Sequence, residues 1–241
     1  MLEVESTESL DRGLNGRNGA HRTAQSTAAP VRDRARAGEA RTIARLELAL
    51  SATGVGLAGF MVTHMGLLFT VLLGANALDT LAEFMERYYL LHAFVPVLAV
   101  MFVGHVYLAA RKVPTAFPQQ RALVRHMRSL RHLDTWTWAA QVLTGIALLA
   151  LAAIHLWVVL ADLPIEASKS GARVFGVYLW FYLAFIVVVE AHMSIGLYRL
   201  AVKWGLATRP WAHRILTAWT VAILSLGFAI LVALYRIGGS Q

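Results

Sequence analysis

Four histidines lie inside long apolar runs of this 241-residue chain. They are His64 in Met61-Val-Thr-His-Met, His105 in Phe102-Val-Gly-His-Val-Tyr, His155 in Ala153-Ile-His-Leu-Trp and His192 in Val189-Glu-Ala-His-Met. An ionisable residue in such a run is a functional candidate, because an unpaired polar group in lipid is costly. Imidazole can exchange a proton or bind a metal through a ring nitrogen. A single buried histidine can also serve an interhelical hydrogen bond with no metal, so number and spacing must decide.

The elements that carry them are membrane spans. The chain is 58% hydrophobic and 15% charged, whereas a soluble domain is nearer half apolar and a quarter charged. A helix needs about 20 apolar residues to cross the hydrocarbon core. Five segments qualify, at about 48–73, 89–110, 136–161, 174–198 and 215–235. The fold class expected is an all-α integral membrane protein with four of five helices forming a cofactor-binding bundle over residues 41–241. Residues 1–40, rich in Arg, Gly, Ser, Thr and Glu, are expected to form a polar, disordered cytoplasmic tail. The acidic residues Glu3, Glu5, Glu8 and Asp11 argue against a mitochondrial transit peptide.

Basic residues set the orientation. Arg111, Lys112, Arg121, Arg125, Arg128 and Arg131 follow the second span, and Arg199, Lys203, Arg209 and Arg214 follow the fourth. The other connections are dominated by Asp79, Glu83, Glu86, Asp162 and Glu166. Positive-inside counting therefore puts the N-terminus in the cytoplasm and the C-terminus outside. The net charge of +8 fits membrane orientation better than nucleic-acid binding, because the basic residues cluster beside apolar runs.

Depths can now be compared. Counted from Arg111 and Arg199, His105 and His192 lie 6 and 7 residues in, roughly 10 Å deep. Counted from Arg45 and Asp134, His64 and His155 lie 19 and 21 residues in, roughly 30 Å deep. The histidines pair as an inner couple, His105 with His192, and an outer couple, His64 with His155. Two imidazoles facing across a bundle can supply both axial ligands of a haem iron. Zinc is disfavoured, because it wants four ligands and each level offers two. The chain has 0 cysteines, which excludes disulfides, cysteine-ligated clusters and covalent c-type haem.

Haem propionates need cationic or hydrogen-bonding partners. Arg199 and Lys203 follow His192 by 7 and 11 residues, so both fall within about 20° of its helical face. Arg173, at the outer start of the fourth span, is the candidate for the outer haem. Arg199 and Lys203 can equally be positive-inside anchors. Glu190, two residues before His192, is about 200° around the helix from it and so faces elsewhere. A carboxyl buried there suits proton handling. His92 could supplement the outer ligands, whereas His126, His132 and His213 suit solvated or lipid-facing roles and His21 lies in the tail.

The arrangement resembles the single-chain, five-helix dihaem cytochrome b subunit of fumarate reductases and succinate:menaquinone oxidoreductases. The resemblance covers the chain after the tail and rests on specific stretches. They are Ser51-Ala-Thr-Gly54, Met61-Val-Thr-His64-Met, His105-Val-Tyr-Leu-Ala-Ala-Arg-Lys-Val-Pro114, Gln141-Val-Leu-Thr-Gly145, His155-Leu and Val189-Glu-Ala-His-Met-Ser-Ile-Gly-Leu-Tyr-Arg-Leu-Ala-Val-Lys-Trp-Gly205. It implies two b haems, with menaquinone or menaquinol as substrate. It also implies partnership with an FAD flavoprotein and an iron–sulfur subunit, and a dimer of such heterotrimers. The location implied is the bacterial cytoplasmic (inner) membrane. By resemblance, Glu86 is the quinone-site glutamate, with Glu83 as substitute. Glu190 marks a transmembrane proton route, and Ser51, Trp138 and Lys203 hold the inner haem's propionates.

The expected activity is quinol oxidation near the outer haem, with Glu86 accepting a proton and electrons passing inward to reduce fumarate. The reverse direction oxidises succinate. The alternatives are a b-type haem subunit of a hydrogenase or formate dehydrogenase, and a haem-free transporter. The histidine pattern disfavours the first, and a reduced-minus-oxidised spectrum separates the second.

Overall fold

The computed structural model describes residues 4–130 and 133–240, with side chains described over 36–129 and 134–240. All regular structure described is helical. It comprises α1 (Val4–Phe69), a 3-10 turn (Thr70–Leu73), α2 (Ala75–Arg87), α3 (Leu90–Ala110), α4 (Phe117–Leu130), α5 (Leu133–Leu160), α6 (Ala167–Phe175), α7 (Leu179–Lys203) and α8 (Arg209–Gly239). The chain divides into two compact units, Met1–Ala49 and Leu50–Gln241. In the first, the polar tail expected over 1–40 falls on the leading part of α1, whose side chains before Arg36 lie outside those described. From Arg36 to Ala49 the side chains are exposed or half-buried.

Five helical stretches are long and apolar enough to cross a membrane. They are Arg36–Leu73, Leu90–Ala110, Asp134–Leu160, Leu179–Lys203 and Arg209–Gly239. The fourth is offset from the expected 174–198. Val174 and Phe175 end α6 instead, and Gly176 breaks the helix at φ −80, ψ −120. Hydropathy cannot reveal that break, because apolar residues flank it on both sides. The outward faces of α3 and α5 carry exposed Val100, Val103, Leu143 and Ile146, which in water would be a liability and in lipid are solvated.

The packed core of the second unit gathers toward one end. Met65, Val71, Leu78, Ala167, Val174, Ile186, Ile230, Leu231 and Leu234 form it, joining α1, the 3-10 turn, α2, α6, α7 and α8. Two short helices close this end. Asp79 of α2 accepts the Ala167 backbone N–H at 2.6 Å, capping the otherwise unsatisfied start of α6. The helix α6 then buries Ala167, Gly171 and Val174, spaced along one face. It meets α8 so closely that a Cβ at Gly238 would run into the Gly171 carbonyl.

The opposite end is tied by polar groups. Asp134, at the start of α5, accepts from Tyr198 Oη through Oδ1 at 3.2 Å and pairs with Arg209 Nη2 through Oδ2 at 3.0 Å. Arg199 Nη1 donates to the Asp134 backbone carbonyl at 3.3 Å. One carboxylate thus joins α5 to the end of α7 and the beginning of α8.

Candidate functional site

The structure brings His64 of α1 and His155 of α5 together edge to face, with ring centroids 6.1 Å apart and planes at 72°. A metal–imidazole nitrogen bond is about 2 Å long and the ring centre lies about 1 Å beyond the nitrogen, so one metal held between two imidazoles sets their centres about 6 Å apart. The observed spacing fits that demand. Phe60 stacks on His64 at 5.6 Å, while Phe185 and Tyr182 flank His155 at 5.2 and 5.9 Å. His155 Nδ1 is buried without a hydrogen-bond partner.

His105 of α3 and His192 of α7, the second expected couple, are each held by a neighbouring helix. Their surroundings are polar and small. Thr53 Oγ1 of α1 lies 3.1 Å from His105 Nδ1, and Thr144 Oγ1 of α5 lies 3.2 Å from His192 Nδ1. The next residue is glycine in both cases. A Cβ at Gly54 would sit 3.2 Å from His105 Cε1, and one at Gly145 would sit 3.0 Å from His192 Cε1. Gln141 Nε2 lies 3.3 Å from His192 Nε2, and its Oε1 is buried without a partner.

Among the described residues no cluster of three or more His, Asp or Glu could hold a metal ion. The donor set at each level is two imidazoles. Such a set suits a metal whose remaining positions are filled by its own macrocycle, and the 6.1 Å ring spacing and the glycines beside the rings are consistent with one.

The carboxylates stand apart from the rings. Glu190 is 1% exposed, on the side of α7 that meets α8. Ser194 Oγ donates to its Oε1 at 2.5 Å and Thr220 Oγ1 of α8 donates to the same oxygen at 2.9 Å. The carboxyl therefore faces away from His192, as the 200° offset requires. Glu86 and Glu83 are exposed on α2, along one stripe with Asp79 at spacings of four and three residues. Just after them Tyr89 takes a left-handed backbone, φ 55, while its N–H bonds the Glu86 carbonyl at 2.9 Å. That conformation is rare for a bulky residue and marks a sharp α2–α3 corner. His92 contacts the Tyr89 ring at 5.6 Å.

The expected cationic and polar residues divide between the two ends. Arg173 lies on α6 rather than on the fourth span. Its Nε donates to the Lys169 carbonyl at 3.2 Å and lies 3.8 Å from Asp162 Oδ2, and its Nη2 is buried without a partner. At the other end Trp204 Nε1 donates to Ser51 Oγ at 3.0 Å, and Lys203 Nζ lies 5.2 Å from the Trp204 ring centre. Ser51 and Lys203 therefore meet at one tryptophan. Trp138 is half-buried on α5, on the face that carries Gly145 two turns later. Arg199 is taken up by α5, as described above. His126 and His213 are exposed, and His21 and His132 fall outside the described side chains.

Sequence reasoning passed over Thr53, Thr144, Gln141, Ser194 and Thr220, because a hydroxyl or amide in an apolar helix has no fixed meaning until its neighbour is known. A signal was nevertheless present. Thr53-Gly54 precedes His64, and Thr144-Gly145 precedes His155, with threonine and histidine eleven residues apart in both helices. Eleven residues return to the same helical face within about 20° and rise about 16 Å. α1 and α5 thus each present one Thr-Gly pair and one histidine on a single face, at two levels.

The chain is similar to known proteins. Residues 118–234 match the family described as succinate dehydrogenase/fumarate reductase transmembrane subunit. The fumarate reductase cytochrome b subunit of Helicobacter pylori (strain ATCC 700392 / 26695) is 38% identical, over 67% of this chain and 68% of its own. That of Wolinella succinogenes is 34% identical, over 69% of each chain. With five helices long enough to span a membrane and this similarity over most of its length, the chain belongs to the fumarate reductase cytochrome b membrane-subunit family.

Proposed function

We propose that this chain is the membrane anchor and quinone-reactive subunit of a fumarate reductase or succinate dehydrogenase complex. It would bind two b haems and dock an iron–sulfur and an FAD-carrying subunit. The observation that carries the reading is the approach of His64 and His155, from two helices, to 6.1 Å between ring centres. His64 with His155, and His105 with His192, would hold one haem iron each. When bound, the haems supply reversible one-electron transfer across the membrane.

The chain's own groups do the rest. Arg173 offers a buried, unpartnered guanidinium nitrogen on α6, suited to a haem carboxylate. Ser51, Trp138, Lys203 and Arg199 are the corresponding candidates at the other end. Glu86 accepts the proton released when menaquinol is oxidised at the α2–α3 corner, where its exposed carboxyl can exchange with water. The transmembrane proton route implied by the family resemblance is assigned to Glu190, which Ser194 and Thr220 hold between α7 and α8.

The test uses the intact complex isolated from membranes through a tag on this chain. Mass spectrometry should find the flavoprotein and iron–sulfur subunits, and difference spectroscopy should find b-type haem. Glu86→Gln should then abolish quinol-linked fumarate reduction while reduction by an artificial dye and haem content stay intact. A complex that lacks haem, or a Glu86→Gln variant with unimpaired quinol turnover, contradicts the corresponding part of the reading.

A further inference from the structure

We infer that Thr53 and Thr144 are positioning residues for metal ligation: each accepts the Nδ1–H of the histidine on the neighbouring helix and so leaves that ring's Nε2 lone pair for the iron. The inference rests on the haem reading above and concerns the His105–His192 couple alone.

The argument is one of hydrogen counting. A threonine hydroxyl has one hydrogen and two lone pairs. Thr53 Oγ1 directs its hydrogen to the Leu50 carbonyl at 3.1 Å, and Thr144 Oγ1 directs its own to the Ala140 carbonyl at 2.7 Å. These are the back-bonds that threonine makes within helices. With the hydrogen committed, what each oxygen offers the nearby Nδ1 is a lone pair. Nδ1 must then carry the proton, and Nε2 is the free base.

The glycines complete the cradle. Beside each threonine, Gly54 or Gly145 lets the Cε1 edge of the ring lie against the helix. Each ring thus rests with its Nδ1–Cε1 edge against the supporting helix. The same Thr-Gly device occurs twice, in α1 for the ring from α3 and in α5 for the ring from α7. A ligand imidazole that donates its other N–H becomes a stronger base toward the metal. Ferric iron gains more from that than ferrous iron, so the two threonines should lower the potential of the haem held by this couple.

The experiment is a redox titration of the purified complex, with low-spin ferric EPR spectra and haem content measured alongside. The variants are Thr53→Val, Thr144→Val and the corresponding serines. The two haems are assigned first through His192→Ala and His155→Ala. Valine keeps the shape and removes the acceptor, so each valine variant should raise the midpoint potential of the His105–His192 haem and shift its EPR signal, or lose that haem. Serine should restore both properties, and the other haem should not move. Unchanged potentials in both valine variants would overturn the inference. So would a shift confined to the other haem, or equal damage by serine and valine, which would make the threonines packing residues. A wild-type complex without b haem would sink the underlying reading and this inference together. Haem with unaltered valine variants would sink only the latter.

Discussion

The two histidine couples solve the same problem with opposite materials. His105 and His192 are gripped by hydroxyls, an amide and glycines, and each ring has a polar atom within 3.2 Å of Nδ1. His64 and His155 sit among Phe60, Tyr182 and Phe185, and His155 Nδ1 is buried with no partner. One site fixes its rings by hydrogen-bond direction, the other by the shapes of aromatic neighbours. If the four histidines hold two haems as proposed, this unequal treatment would set the two apart in potential, since ligand hydrogen bonding and burial are levers a protein has over a haem iron.

The strongest way to break this comparison is to remove ligands. Replacing His105 or His192 with alanine should reduce haem from two per chain to one, and the survivor should be the haem that His64→Ala or His155→Ala removes. Pyridine haemochrome assays combined with redox titration would check this. If His64→Ala and His192→Ala abolished the same component, the pairing would be wrong. Next in size is Gly238→Ala. Its methyl would collide with the Gly171 carbonyl, a backbone group that cannot simply rotate away. Forced overpacking costs about 1–3 kcal/mol, and the displaced element would be α6, which carries Arg173. Thermal release of haem should therefore fall in temperature for the His64–His155 site first.

Asp79→Ala sharpens the same point with a smaller effect. It removes the cap on α6, which should cost about 1 kcal/mol. The haem of the His64–His155 site should again loosen before the other in a melting experiment. At the opposite end, Asp134→Asn should do least. The Arg209 and Asp134 side chains are 60% and 31% exposed, and pairs of that kind contribute about 0–1 kcal/mol. Both haems should remain, with at most a small fall in unfolding temperature in detergent. A large selective loss at the His105–His192 site would mean that Asp134 acts on the rings and not only on the ends of the helices.

Much of this was legible along the chain, and the rest was hidden for identifiable reasons. Five spans follow from apolar length, and the orientation of Glu190 follows from a two-residue step around a helix. The short helices α2 and α6 were not visible as separate elements. α6 ends in Val174 and Phe175, which hydropathy merges with the span that follows. The threonine cradles lie inside Ser51-Ala-Thr-Gly54 and Gln141-Val-Leu-Thr-Gly145, where the sequence assigns a role to Ser51 but none to either threonine. Threonine back-bonds to its own helix wherever lipid surrounds it, so its second use appears only when α3 and α7 are in place. Asp134 was treated as the edge of a span, and its three ties need the far ends of α7 and α8.

The close crossing of α6 and α8 has a consequence in time. Thr53, Gln141 and Thr144, which lie against His105 and His192, are all synthesised by the end of α7. The seat of α6 is incomplete until Gly238 has been made. Translation adds about 5–20 residues per second, so the seat of α6 is completed seconds after the side chains around His105 and His192 are all in the chain. During that interval Arg173 has no fixed support from α8. A nascent chain would thus finish one half of its interior while the other is still provisional, and cofactor loading has a natural order.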